Sequence, residues 1–283
     1  MSLLGDNHVY SYSQLSSFDE CRYGFYLRRI EGMEEPTSNA FAERGTLIHD
    51  LLDKWAKKIL TKPEMIKEYE QRYSDEVVSS WPRVLSSKGY AAKAYEKGIQ
   101  FLEAFDEFEG YEVLSAEEKF KIDLPLTNGE TRPFIGIVDM MLREKSSGDL
   151  IICDHKSKSL QSFKKDQDEM YRQQLLYTAY VKEKYGQYPQ QLMFHLFNED
   201  GVKPSRLFTE DQYKEALGWA TKQILGIEKC SVIDWLVCKE KPDYFCWNLC
   251  DARKQCPNGV QPDFRSKKKN DEYEGFKDEG DLF

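Results

Sequence analysis

The sequence predicts an α/β fold, a central mixed β-sheet flanked by helices with a helical insertion in its N-terminal half. Three observations carry that expectation. Helical periodicity dominates residues 11–108, alternating apolar and polar residues mark the runs between 111 and 156, and helical and extended runs then take turns as far as residue 228. Strands grouped between helices must bury their faces under helical layers, which gives α/β or α+β layering. With 283 residues, 40% of them apolar and 13% aromatic, the chain can bury a sizeable core as one large domain or two small ones.

In order, residues 11–30 read as a short helix capped by Ser13, with Leu15, Phe18, Phe25 and Tyr26 as apolar anchors and Cys21 in its second half. Residues 31–39 form a loop. A strong amphipathic helix follows over 40–60, with Leu47, Leu51, Leu52, Trp55 and Ile59 on one stripe. The charged stretch 62–108 is the helical insertion, broken near Trp81-Pro82 and Ser86-Ser87. Phe120, Ile122 and Leu124 alternate in a strand over 111–126, and two further β-rich runs, 134–143 and 150–156, are joined by the turn Lys145-Ser146-Ser147-Gly148. Helix is expected at 166–185, strand at 190–198 and helix at 209–228. One domain, 1–262, with a cysteine-rich segment at 238–257, is followed by a tail, 263–283, whose Lys-rich and then acidic composition reads as disordered.

Composition excludes several classes. No apolar run reaches membrane-spanning length, and residues 1–12 lack the pattern of a signal peptide, so a cytosolic location and no membrane partner are expected. Clustered cysteines in a reducing compartment point to metal binding rather than disulfides. A net charge of −9 argues against a general polyanion binder but leaves room for a local basic groove.

The chemistry concentrates in the hairpin around the Ser146-Ser147 turn. Pairing Glu144 with Asp149 carries Asp139 opposite Asp154, and opposite residues share a sheet face. Lys156, two residues on, points to that face as well. Two adjacent carboxylates repel each other and need compensation. A divalent cation such as Mg²⁺, with Lys156 beside it, supplies that compensation and suits phosphodiester hydrolysis. On spacing alone, an exposed strand face with ordinary alternating charges explains the same residues.

In the order of its motifs the chain resembles the RecB-like branch of the PD-(D/E)XK nuclease superfamily. Ser13 to Cys21 looks like that branch's first element, Gly45-Thr-Leu-Ile-His49 its G-x-x-x-H helix, Gly136-Ile-Val-Asp139 its G-x-x-D strand, and Asp154-His155-Lys156 its (D/E)-x-K strand. Gln173 and Tyr177 match its Q-x-x-x-Y helix, and Cys246, Cys250 and Cys256 its clustered cysteines. The resemblance implies a restriction-endonuclease-like core and a Mg²⁺- or Mn²⁺-dependent DNA exonuclease of recombination, repair or phage DNA processing. By the same resemblance His49, Asp139 and Asp154 are metal ligands, joined by the His155 carbonyl. Lys156 is the catalytic lysine, and Gln173 and Tyr177 position DNA or the active-site groups. Glu117 stands where some members carry an auxiliary acid, with Glu118 an equally reachable choice.

It also implies a [4Fe–4S] cluster on Cys21, Cys246, Cys250 and Cys256. Here three residues separate Cys246 from Cys250, where the branch has two. Zn²⁺ is the alternative occupant and Cys238 a competing ligand, while Cys153 and Cys230 read as plain buried thiols. Arg28, Arg29, Lys158, Lys164 and Lys165 flank the catalytic segments and are the expected phosphate contacts. The ending Asp278-Glu279-Gly280-Asp281-Leu282-Phe283 resembles the partner-docking tail of single-strand-binding proteins, which would suit a helicase, recombinase or clamp-type partner. A non-catalytic DNA-binding module of the same fold and an RNA nuclease remain the alternative functions.

Overall fold

Six strands form one mixed sheet: β1 (Tyr10–Ser11), β2 (Tyr111–Pro125), β3 (Thr131–Glu144), β4 (Leu150–Lys156), β5 (Gln191–Leu196) and β6 (Ser205–Leu207). The helices are α1 (Tyr12–Glu20), α2 (Arg22–Arg29), α3 (Ala40–Ala56), α4 (Lys62–Glu76), α5 (Tyr90–Ala104), α6 (Leu160–Tyr185) and α7 (Glu210–Lys229), with a final 3₁₀ turn, Asp251–Lys254. The computed structural model describes residues 8–33, 39–81, 89–199 and 201–231, together with 234, 236–238, 242, 246–247 and 250–258. The expected tail, 263–283, and the breaks at Pro82, Ser86 and Ser87 lie outside those residues.

Two apolar clusters fix the layers. Leu15, Phe25, Phe163, Leu176 and Ile224 bring α1, α2, α6 and α7 onto one sheet face with Phe120, Phe134, Ile152 and Phe194. Leu47, Leu51, Tyr69 and Phe101 bring α3, α4 and α5 onto the other with Met140, Leu142, Cys153 and Met193. The fold is the expected central mixed sheet between helical layers.

The β3–β4 hairpin has the register that the turn chemistry predicts. Gly148 takes φ 80° and closes on the Glu144 carbonyl, and Met140, Met141, Leu142 and Arg143 pair with Cys153, Ile152, Ile151 and Leu150. That ladder stops at Met140, one residue short of Asp139. β2 lines one edge of β3 from Thr131 to Glu144, so β1 and β4 must share the other, β1 at Phe134 and Ile135 and β4 from Met140 onward. A fork opens between them. Side-chain alternation also breaks there: Val138 packs in the first cluster, Met140 in the second and Met141 in the first again. The break falls at Asp139.

Several local expectations change. Residues 11–30 form two helices rather than one, because Cys21 takes an extended conformation and serves as C-cap of α1 and N-cap of α2. Ser11, not Ser13, caps α1, accepting from the Gln14 amide. α3 ends at Ala56, which leaves Ile59 outside the helix and 64% exposed. α6 starts at Leu160, earlier than the expected 166, since Ser159 caps it and Phe163 is buried. Among the described residues no helix is long and apolar enough to cross a membrane.

Candidate active site

The fork gathers the predicted residues from both helical layers. Asp139 turns its carboxylate into the gap, where Oδ2 accepts the His155 amide at 2.8 Å. His49 arrives from α3: its Nδ1 stands 3.3 Å from Glu117 Oε1 and 3.6 Å from Asp139 Oδ2, and its Nε2 meets the His155 carbonyl at 3.0 Å. Ligand atoms of His49, Glu117 and Asp139 all lie within 4.8 Å of one another, a spacing that can hold a metal ion. Burial pushes the His49 imidazole down, but the hydrogen bond to Glu117 and the Asp139 charge outweigh it and hold it above its ordinary value.

Glu117, rather than Glu118, faces this cluster. Glu118 is engaged on the other side of β2, paired with Lys184 of α6 and accepting from Ser115 Oγ at 2.6 Å. Glu117 sits at φ 47°, in the left-handed region, where a residue carrying Cβ stores about 1–2 kcal/mol. Its neighbours Ala116 and Glu118 pair with Met140 and Val138, so Glu117 lies across from Asp139 at the point where alternation breaks.

Asp154 faces α6 together with Lys156, and the Lys156 ammonium stands 2.7 Å from Asp154 Oδ2. Asp154 is 5% exposed, and the Lys156 ammonium is the partner of its Oδ2. Burial raises its carboxyl; the Lys156 ammonium opposes this and the Asp139 charge adds to it, and the net shift is upward. Burial would lower the Lys156 ammonium, but Asp154 and Asp139 outweigh it and hold the amine charged.

Gln173 and Tyr177 border the pair, joined by Gln173 Nε2 donating to the Tyr177 hydroxyl at 3.2 Å. Tyr177 packs edge-on against Phe120 with ring centroids 5.0 Å apart. This contact explains the glycine three residues before Asp139: a Cβ on Gly136 would stand 2.5 Å from Phe120 Cζ and 2.8 Å from Tyr177 Cζ. Gly136→Ala is therefore expected to cost about 1–3 kcal/mol by overpacking and to shift Tyr177. Urea unfolding measures the first effect and Tyr177 fluorescence or NMR the second.

Sequence reading missed three supports. Buried Arg44 donates to Asn198 Oδ1 at 2.6 Å, and Asn198 Nδ2 donates to the Ser157 carbonyl at 2.5 Å, which ties the helix of His49 to the residue after Lys156. His195 lies beside His155 in the β4–β5 ladder. An open sheet face runs on from the fork, where Lys119 is paired with Ile137 and Lys121 with Ile135. Both isoleucines are 40% exposed, and among the described residues neither lysine meets a carboxylate. A cross-strand map would have found that face; the other supports depend on tertiary contacts.

The expected phosphate contacts scatter. Lys164 and Lys165 line an open cleft with Glu199 at the start of α6, Arg29 is exposed, Lys158 pairs with Asp166 at 2.6 Å, and Arg28 donates to Ser17 Oγ at 2.6 Å.

Away from the fork, Cys21, Cys238, Cys246, Cys250 and Cys256 line a single cavity beside α2. The sulfurs of Cys238 and Cys256 are 3.7 Å apart, and burial together with Cys256 pushes the Cys238 thiol up to about 12. Cys153 is buried under α3 and Cys230 caps the end of α7, apart from that cavity.

No curated protein shows significant similarity to the chain. A crystal structure from Eubacterium rectale, of a protein named "Putative exonuclease", is similar at 12% identity and TM-score 0.46, covering 84% of this chain and 91% of its own. A sequence profile of the PD-(D/E)XK nuclease superfamily matches residues 9–257, a span that takes in β1, the whole fork and the cysteine cavity. The chain belongs to the PD-(D/E)XK nuclease superfamily.

Proposed function

We propose that the chain is a Mg²⁺- or Mn²⁺-dependent deoxyribonuclease that works from DNA ends or on single strands, as an exonuclease of recombination, repair or phage DNA processing. The observation that carries this reading is the convergence of His49, Glu117, Asp139, Asp154 and Lys156 on one strand fork. The donor set fits a hard divalent cation: carboxylate oxygens and one imidazole, gathered within 4.8 Å at His49, Glu117 and Asp139, with the buried Asp154–Lys156 pair beside them. A bound cation supplies an activated water and a Lewis acid for the phosphoryl oxygen. Asp139, Asp154, Glu117 and His49 would hold it, and an Nε2–H of His49 donating to the His155 carbonyl would turn a bare Nδ1 to the cation in place of its contact with Glu117. Lys156 keeps its proton and stabilises charge developing on the attacked phosphate. Gln173 and Tyr177 orient the groups around that phosphate.

The substrate strand is read as crossing Lys119 and Lys121, with Arg29, Lys164 and Lys165 as outer phosphate contacts. Changing Lys119 and Lys121 together to Ala is expected to weaken DNA binding in Ca²⁺ and to flatten its log–log salt slope by about 1.5, the contribution of two phosphates. An unchanged slope removes them from the path.

The function itself is tested on end-labelled linear and closed circular DNA, single- and double-stranded, with Mg²⁺, Mn²⁺ or chelator. Cleavage that needs metal and ends, and is lost in Lys156→Met, is expected. Circle cleavage would make the enzyme an endonuclease. Cleavage of RNA alone would move the substrate class, and an inactive wild type would leave a binding module.

Five thiols around one cavity support a thiolate-bound group there, and we assign it a [4Fe–4S] cluster. Iron with acid-labile sulfide is the expected result of elemental analysis. Stoichiometric zinc in a colourless protein would replace the cluster by a structural zinc site.

A further inference from the structure

His155 touches both proposed ligands that it separates. Its amide donates to Asp139, its carbonyl meets His49 Nε2, and its ring stands edge-on to the His49 ring, centroids 5.5 Å apart at 90°. The ring and the two main-chain groups belong to one residue, so a ring packed in one place limits how far that stretch of backbone can shift.

That ring is held from behind. His195, 0% exposed, sits opposite His155 in the parallel β4–β5 ladder, with Nδ1 to Nδ1 at 3.1 Å. A hydrogen bond between two such atoms needs one bare nitrogen and one N–H, so it fixes complementary tautomers. Phe101 and Phe108 enclose the pair, each with its centroid 5.1 Å from His195. Among the described residues both outward Nε2 atoms are buried without a hydrogen-bond partner. An apolar pair would fill this aromatic box without orphaned nitrogens, so the dyad is a poor device for stability alone.

We infer that His195 is a positioning residue for the divalent-cation site, acting through His155 on His49 and Asp139; this rests on the proposed nuclease reading of the fork. Nothing in the chemistry requires His195 to touch metal or substrate. Its contribution is the fixed His155 ring, and through it a preset His49 tautomer and Asp139 rotamer.

The test is Mn²⁺ affinity of the full-length protein, measured without substrate by electron paramagnetic resonance of free Mn²⁺, with the Glu117→Gln/Asp139→Asn double variant as the blank. His195→Phe fills the aromatic box but removes the bond, and should weaken Mn²⁺ binding about tenfold or more. His195→Asn carries an amide where Nδ1 stood and should stay within about threefold of wild type, while His195→Gln, polar at the Nε2 position, should resemble Phe, which keeps the comparison intact if the Phe variant does not fold. Wild-type affinity in the Phe or Gln variant, or loss in Asn equal to that in Gln, overturns the role of His195 while leaving the nuclease reading standing. A wild type that binds no Mn²⁺ above the blank overturns both.

Discussion

Asp154→Asn is expected to fold normally and to lose about 10²–10³-fold in turnover on DNA, whereas Lys156→Ala is expected to be both inactive and destabilised. The asymmetry follows from burial. The Asp154 side chain is 7% exposed and Lys156 31% exposed. An amide fits the Asp154 site without the cost of a buried charge, and the released ammonium can turn to water. Removing Lys156 instead strands a carboxylate in a dry site, which costs about 3–5 kcal/mol. The double variant should recover most of that loss, because its charge is gone as well. Acid gives a second signature. The Asp154 carboxyl already lies above its unfolded value of ~3.9, and further above it without Lys156. The folded variant then binds a proton more tightly than the unfolded chain, so its deficit against wild type should shrink as the pH falls from about 7 to about 5 and widen again as it rises. Urea unfolding of both proteins at the two pH values checks this; a deficit that grows in acid would show that Asp154 is not the stranded group.

Glu117 offers the second large effect. Gln, Ala and Gly at 117 should each weaken metal-dependent cleavage by about 10²-fold or more, since each removes a carboxylate from the converging set. Their stabilities should diverge. Ala keeps the Cβ and thus the left-handed strain, while Gly releases about 1–2 kcal/mol of it against a flexibility cost of about 0.5–1. Glu117→Gly should therefore be at least as stable as Glu117→Ala, the reverse of the usual order inside a strand. A Gly variant clearly less stable than Ala would mean that the backbone at 117 relaxes once the carboxylate is gone.

Most of the fork was legible because the turn Lys145-Ser146-Ser147-Gly148 pins the hairpin register, and the register carries Asp139 toward Asp154. β4 begins and ends at the residues expected from its apolar run. What the sequence could not show was that the ladder ends at Met140, so that Asp139 is not paired across from Asp154 and instead accepts the His155 amide in the gap between the strands. Nor does composition choose between Glu117 and Glu118. Adjacent residues of a strand point to opposite faces, so that choice follows only once the β2–β3 register sets Glu118 opposite Val138 and leaves Glu117 across from Asp139. The break at Cys21 was hidden for a related reason: helical periodicity runs straight through it, and only the local backbone separates α1 from α2. Arg44, Asn198 and His195 act through partners far away in sequence, and no local motif marks such pairs.

The cysteine cavity sets an order of events in the making of the protein. Its first thiol, Cys21, lies between α1 and α2, and the other four follow α7. Chains emerge from the ribosome N-terminus first, and domains begin to fold as they appear. The strands that build the fork, together with α3 and α6, are all made before Cys238. A nascent chain can thus hold its carboxylates in place while the thiol cavity still lacks every wall but one. A group held by those thiols would enter only after Cys256 is made, and would close a loop that encloses nearly the whole domain.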